Sequence, residues 1–319
     1  MKIEIICPHR RHKLLLVIML FVNIARHTLC RRAPHSVGMR IAPLSMSSTF
    51  FQSIGSPKFI SAPMVDQSNL AWRLLVRENG ADLAFSQMMH ARNFMTDKNY
   101  RSDCVDWDDY THSGGVAEAS RSRELDKPLI VQLAGDDPHV LVEAGKYLHK
   151  DVAAIDLNLG CPQKIAKKGN YGAYLLPEKA LIVKLLSAMV QNLDCPITAK
   201  IRCLSTDEET LELCKAIEDC GVSMITVHGR TVDSNKLFVT PANWDIIRKV
   251  KETLSIPVIA NGGISCRDDA IRLATSDLFK FMATILFKSP HNSLYYIWKV
   301  VYYIWQVPGR IIISLYIIS

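Results

Sequence analysis

No two of the nine cysteines form a C-x-x-C pair, and no Cys/His set has the spacing of metal ligands. A structural zinc site is therefore not expected. An odd, scattered set also fits no disulfide framework, so reduced thiols in a reducing compartment are expected. No G-x-G-x-x-G follows the first strand-like run, which counts against a dinucleotide-binding Rossmann domain. The apolar run at residues 14–22 is shorter than the ~20 residues that cross a bilayer. Acids are scarce at both ends: Glu4 stands alone in the first 65 residues, and none follows Asp277.

That scarcity decides how the net charge is read. The total is +7, from 38 Lys and Arg against 31 Asp and Glu, which taken whole suggests a nucleic-acid or membrane partner. Residues 1–65 alone carry +8, however, and the remainder −1. The body is near neutral, so any RNA contact has to come from local patches. With 49% hydrophobic and 22% charged residues the chain has a globular composition, enough for one large core or two ordinary ones.

Residues 1–50 read as a basic leader. The apolar run with basic flanks fits a signal peptide, and the Arg-rich, acid-poor stretch through Arg40 fits a mitochondrial transit peptide. A third reading is an upstream extension, with translation starting near Met39 or Met46. Cysteine usage argues against secretion, which leaves the cytoplasm or the mitochondrion as the expected location.

From Lys58 onward strand-like and helix-like segments alternate. Residues 58–65 are a short apolar run ending in Ala62-Pro63-Met64, and Ser68 is the expected cap of a helix that Asn79-Gly80 ends. Residues 82–86 read as a second strand, followed by a long connection whose polar middle, 103–126, reads as a surface loop. A third strand at 128–133 leads to a helix opened by Asp136-Asp137-Pro138, and 152–159 reads as a buried fourth strand. A helix from Pro177, a strand at 196–201, a helix capped by Thr206 or Asp207 and ended at Gly221, and a strand at 223–227 follow. A helix from Pro241 to Leu254, a strand at 257–260 and an eighth strand near 278–283 complete the alternation. The pattern argues a parallel α/β fold, specifically a (β/α)8 TIM barrel with a degenerate eighth strand.

In such a barrel reactive groups project from the C-terminal ends of the strands. The unusual residues of this chain fall there: Pro63 and Met64, Gln132, Asn158 and Cys161, Lys200 and Arg202, His228 and Arg230, Asn261 and Gly263. Taken singly, each has a bland alternative. Lys200 reads equally as a solvated strand end, His228 as a core histidine, Gln132 as a polar edge residue, and an isolated Cys161 as a small buried hydrophobe. Their joint placement is what points to a site. After the fourth strand, Gly160, Pro162, Gly169 and Gly172 break the chain into a loop that a ligand could approach closely, with Lys164, Lys167 and Lys168 as a small basic patch on it.

The run Asn158-Leu159-Gly160-Cys161-Pro162-Gln163, followed by Gly169-Asn170-Tyr171-Gly172-Ala173, closely resembles the active-site loop of the tRNA dihydrouridine synthases. Within that family it looks most like the eukaryotic branch acting on D-loop uridines. Gln87-Met88-Met89-His90-Ala91-Arg92, with Lys98-Asn99-Tyr100-Arg101, resembles the exit of the second strand in the same branch. The resemblance implies FMN-dependent reduction of uridine to 5,6-dihydrouridine in tRNA, with NADPH or NADH as reductant. Hydride would pass from reduced flavin to C6 and a proton from Cys161 to C5. An ordinary thiol, with a pKa of about 8.5, is mostly protonated at neutral pH, so an acid role asks for no activated thiolate.

By the same resemblance, Ala62-Pro63-Met64 packs under the isoalloxazine ring, and Gln132, Lys200 and His228 contact the flavin or its ribityl phosphate. Asn261-Gly262-Gly263 offers backbone N–H groups to the phosphate. The physics agrees: a cation beside the flavin N1/O2 edge stabilises the anionic reduced form, and backbone donors after the seventh strand are a common phosphate site in barrels. Asn158 is implied to hold the uracil, with Gln163 as an extrapolation, and Arg202 and Arg230 to meet RNA phosphate or base. No metal is implied, and a monomer is expected.

The resemblance runs from about residue 58 to about 274. The expected organisation is a leader at 1–50, an FMN-binding catalytic barrel at 58–285 and an aromatic, Ile-rich tail at 286–319. The family's Gly-Arg turn after strand eight and its C-terminal helical domain are not found. The tail reads as an added strand hairpin, a membrane-seeking segment, or sequence from beyond a splice boundary; the last is preferred, since an exposed apolar tail is an aggregation hazard. Two functional alternatives follow: a truncated inactive homologue, or a small-molecule TIM-barrel flavoenzyme.

Overall fold

Successive side chains of a strand point to opposite faces, and in this chain the two faces differ in kind. In the computed structural model, which describes residues 46–105, 124–234, 241–264, 268–271, 283–285, 305–307 and 310–312, eight parallel strands close into a barrel in sequence order. They are β1 (Phe59–Ser61), β2 (Leu83–His90), β3 (Leu129–Ala134), β4 (Ala154–Leu159), β5 (Ile197–Arg202), β6 (Met224–His228), β7 (Val258–Asn261) and β8 (Ala283–Ile285). The fold expected from the alternation is therefore the one formed. Closure is slender at its last step, where β8 meets β7 through one residue pair, Ala260 with Ala283, and β1 through three.

Near the N-terminal ends of the strands, Ile60, Leu83, Phe85, Ile130, Ala154, Met224 and Ile259 form a buried apolar floor. Helix α1 (Met46–Ser53) sets Phe50 and Phe51 into that floor, so the folded unit takes in residues before Lys58. Each ring buried this way stabilises the barrel by about 2 kcal/mol. The opposite faces of the same strands, such as Leu133, Ile155, Leu157, Ile201 and Val227, pack outward against a ring of amphipathic helices. Those helices are α2 (Leu70–Glu78), α5 (Pro138–Leu148), α7 (Lys179–Asn192), α8 (Asp207–Asp219) and α9 (Trp244–Thr253); α3 (Ala91–Thr96), α4 (Lys98–Cys104) and α6 (Lys164–Lys168) are short inserts.

Helix ends follow their capping chemistry. Asp137 caps α5 with Pro138 at its first turn, and Thr206 with Glu209 makes a reciprocal capping box on α8, worth about 1 kcal/mol. Ser68 does not cap α2. The cap is Asn69, whose side chain accepts from the Trp72 N–H, while the buried Ser68 hydroxyl accepts from the Met64 N–H and donates to the Ala62 carbonyl. Both residues suit a cap, and Ser68 is drawn off by the turn it closes. Arg73 on α2 pairs with Asp126 at 2.8 Å, both buried, which ties the helix to the chain entering β3.

Three stretches differ from the sequence expectation. β2 runs to His90 rather than ending at 86, with a register shift against β3 between Phe85 and Met88. It leads into α3 (Ala91–Thr96) and α4 (Lys98–Cys104), where only a connection was expected. The glycine-broken loop after β4 contains helix α6 (Lys164–Lys168) and a tight turn of helix at Gly172–Leu175. The expected surface loop lies largely outside the described residues, as do the leader up to residue 45, positions 278–282 of the expected eighth strand, and most of the tail. Of that tail, β9 (Trp305–Val307) and β10 (Arg310–Ile312) pair antiparallel. Among the described residues no helix is long and apolar enough to cross a membrane.

Candidate functional site

Above the apolar floor the inward-facing rows turn polar. Gln132, Asp156, Thr198 and Thr226 form a buried layer in the barrel interior. Beyond them Asn158, Lys200, Arg202, His228 and Asn261 stand at the C-terminal ends of β4 to β7. Strand register pairs Asn158 with Lys200, Arg202 with His228, and His228 with Asn261, so one ring of side chains lines one mouth of the barrel.

Hydrogen bonds join this ring to the Cys161 loop. Asn158 Oδ1 accepts from the backbone N–H groups of Gly160 and Cys161 at 3.0 and 2.9 Å, and its Nδ2 donates to Gln132 Oε1 at 2.7 Å. Its carbonyl is thereby saturated, leaving one N–H for a substrate. Gln132 Nε2 donates to Asp156 at 2.8 Å, and Thr198 Oγ1 donates to the other Asp156 oxygen at 2.6 Å. Arg202 donates through Nε to the Gly160 carbonyl and through Nη1 to the Thr231 carbonyl. Of the arginine expected to meet RNA, those two N–H groups clamp loops.

The Cys161 side chain is half-buried and, like Met88 and Tyr174, packs against a small buried cluster of Ala134, Ala166 and Tyr171. Gly172 passes directly over it with φ +67°; a Cβ there would lie 2.8 Å from the Cys161 carbonyl oxygen and 2.9 Å from its Cβ. Only glycine takes this backbone region at no steric cost, and only a missing side chain permits the approach. The Tyr174 hydroxyl donates to the Pro162 carbonyl, and His90 meets the Tyr171 ring edge-on at 4.9 Å.

Further along the ring, Lys200 Nζ donates to Asn261 Oδ1 at 2.9 Å. Burial lowers its pKa to about 8; Asp156 opposes the shift and Arg202 adds to it. Burial raises Asp156 to about 6, against the hydrogen bonds from Thr198 and Gln132 and the charge of Lys200. His228 is pushed down to about 2, first by burial and then by Lys200, Arg202 and Arg230, so it is a neutral imidazole at any ordinary pH. Its Nδ1 is buried with no hydrogen-bond partner among the described residues. Gly262, at φ +94°, runs against the same ring, and a Cβ there would come within 2.7 Å of it.

The structure thus brings together Cys161, Asn158, Gln132, Lys200, Arg202, His228 and Asn261, with Gly262 and Gly263 turning beside them. Pro63 and Met64 are half-buried at the exit of β1, held by Ser68. Arg230 lies two residues past His228 and receives the Cys203 N–H on its carbonyl. Lys164, Lys167 and Lys168 are exposed on α6, with Lys167 Nζ 5.9 Å from the Tyr174 ring centroid, and Gln163 is exposed at its start. Sequence reading passed over Asp156, Thr198, Tyr171 and Tyr174. Asp156 carried a signal: it is the acid two residues before Asn158, hence on the same inward face. Among the described residues no His, Cys, Asp and Glu group is arranged to hold a metal.

The family model described as dihydrouridine synthase (Dus) matches residues 60–277. The chain is 42% identical over 224 residues to a Saccharomyces cerevisiae protein named tRNA-dihydrouridine(16/17) synthase, NAD(P)(+), covering 70% of this chain and 50% of that one. It is 39% identical over 221 residues to the Mus musculus tRNA-dihydrouridine(16/17) synthase-like protein, covering 69% of this chain and 44% of that one. The chain therefore spans about half the length of the curated relatives it matches. Among solved structures, a 2-naphthoyl-CoA reductase complex superposes with TM-score 0.53 at 10% identity, covering 73% of this chain and 50% of that chain, a likeness of fold alone.

Proposed function

Because this chain belongs to the dihydrouridine synthase family, on its eukaryotic branch, we propose that it reduces uridines of tRNA to 5,6-dihydrouridine, with FMN as resident cofactor and NADPH or NADH as reductant. The single observation that carries the reading is that the Cys161 loop and the row of Lys200, His228 and Asn261 stand at the same mouth of the barrel, on strands β4 to β7.

The residues present fit a flavin mononucleotide. Lys200 is a half-buried ammonium whose side-chain hydrogen bond, among the described residues, goes to an amide rather than a carboxylate, so it has charge to give an anionic ligand. His228 keeps a buried ring nitrogen unpaired, and Gly262 and Gly263 bring bare backbone beside it. Lys200, His228, Asn261 and the Gly262-Gly263 turn would hold the cofactor, with Gln132 beneath and Pro63-Met64 at the rim. When bound, FMN supplies the hydride that reaches C6 of the uracil.

The chain's own residues do the rest. Cys161 gives its proton to C5 and is left as a thiolate, which regains a proton from solvent through its half-exposed position. One N–H of Asn158 is open to a uracil carbonyl. Arg230 and the exposed lysines of α6 offer charge to phosphates. The test is to purify the chain, release its chromophore by denaturation, and incubate it with NADPH and tRNA lacking dihydrouridine. Stoichiometric FMN and new dihydrouridine are expected; a colourless protein that cannot be reconstituted with FMN would overturn the proposal.

A further inference from the structure

Asp156 lies beneath the residues assigned above, fully buried, and no step of the proposed reaction uses it. Its neighbours give it a direction. An ionised carboxylate only accepts hydrogen bonds, so Gln132 turns Nε2 toward it and presents Oε1 to Asn158. Asn158 in turn donates Nδ2 to Gln132 and presents Oδ1 to the N–H groups of Gly160 and Cys161. Two reversible amides thus span two ends that cannot reverse, a carboxylate below and a pair of backbone donors above. Each link fits in one orientation only; turning either amide sets donor against donor or acceptor against acceptor.

We infer that Asp156 is a positioning residue: through Gln132 and Asn158 it anchors the amide ladder that seats Cys161 in its loop. The inference rests on the proposed role of Cys161 for its meaning but not for its test. Asp156→Leu leaves Gln132 with a buried donor and no acceptor, and Gln132 then leaves Asn158 to find one. Asp156→Asn keeps the ladder, offering Oδ1 to Gln132 and Nδ2 to the Thr198 hydroxyl. Thr198→Val removes the other donor to Asp156 and leaves every rung in place.

The readout is the rate at which iodoacetamide alkylates Cys161 in the folded chain, followed by mass spectrometry of its peptide, with near-ultraviolet circular dichroism confirming the fold. One hydrogen bond of ordinary strength lost from the ladder corresponds to about fivefold more frequent opening of the loop. Asp156→Leu is expected to speed alkylation by that factor, with Asp156→Asn and Thr198→Val near wild type. If Asp156→Leu does not fold, Gln132→Met breaks the ladder one rung higher and is expected to show the same acceleration. Unchanged alkylation in the folded ladder-breaking variant, or equal acceleration in Asp156→Asn or Thr198→Val, would overturn the inference. Alkylation needs neither flavin nor tRNA, so a chain with this pattern that makes no dihydrouridine would count against the proposed activity and leave the ladder standing.

Discussion

Gly172→Ala puts the seating of Cys161 under direct strain. The glycine has φ +67°, where an L-residue is less stable by about 1 kcal/mol or more. Its new Cβ would stand 2.8 and 2.9 Å from the carbonyl oxygen and Cβ of Cys161. Carbon contacts settle near 3.5 Å, so Cys161 has to retreat by roughly 0.5 Å. Three hydrogen bonds resist: the Gly160 and Cys161 N–H groups to Asn158 at 3.0 and 2.9 Å, and the Ala173 N–H to the Cys161 carbonyl at 3.1 Å. Weakening them at about 1 kcal/mol each, with the backbone strain, gives about 2–4 kcal/mol of lost stability. Since a 1 Å misplacement lowers rates by about a hundredfold, dihydrouridine formation should fall at least about tenfold. FMN content should hold, because the nearest atoms a Cβ at Gly172 would meet are all of Cys161, whereas Gly262 is the glycine that lies against His228. The assay is urea unfolding together with single-turnover dihydrouridine formation on FMN-loaded protein. A variant with wild-type stability and turnover would refute the reasoning.

Lys200, with its pKa lowered to about 8, should lose its charge as pH rises through that value, so FMN affinity should fall by up to about tenfold per pH unit above it. Flavin fluorescence titrations from neutral to alkaline pH check this, and a flat profile would contradict it, as would a Lys200→Met variant with the same slope. His228 stays neutral in the fold but takes a proton when unfolded below pH 6.5, so it removes stability as pH falls. Asp156, raised to about 6, holds a proton in the fold that the unfolded chain gives up, and works the opposite way between about 6 and its ordinary 3.8. Comparing His228→Asn with wild type cancels the Asp156 contribution: the variant's relative stability should grow on acidification by at most about 1.4 kcal/mol per pH unit below 6.5. Parallel pH profiles in chemical denaturation would count against a buried neutral His228. Asp126→Asn leaves Arg73 buried without its carboxylate and should destabilise the chain by about 3–5 kcal/mol in urea unfolding; a loss under 1 kcal/mol would mean the ion pair contributes little.

The barrel was legible because each strand is an apolar run and most of the helices between them open on a recognisable cap. Asp137 with Pro138 opens its helix as the sequence signals, and of the two caps offered, Thr206 and Asp207, the structure uses Thr206, with Glu209 completing the box. The helices after β2 were not legible. Ala91–Thr96 is only a turn and a half, too short for a helical period to show, and its cap is His90, a residue type with little capping preference. Lys164–Lys168 is too short for any period to show, and it sits among glycines. At the site, the Asn158 to Ala173 string drew the reading to Cys161, and Lys200, His228 and Asn261 stand at or near the ends of strands, where the sequence put them. Asp156 went unread inside a run taken as apolar. Asn158 closes a local turn on the N–H groups of Gly160 and Cys161, a habit of Asn before glycine, whereas Arg202 reaching the Gly160 and Thr231 carbonyls is a tertiary fact that no local pattern encodes.

The central claim is that Cys161 is the proton donor of an FMN-dependent tRNA reduction, and the most direct measurement compares wild type with Cys161→Ala. Both proteins would be tested for bound FMN, for NADPH oxidation and for dihydrouridine formed in tRNA. The account predicts that the variant keeps its flavin and still oxidises NADPH but forms no dihydrouridine at a rate the wild type reaches. Dihydrouridine formed equally fast by Cys161→Ala would contradict it.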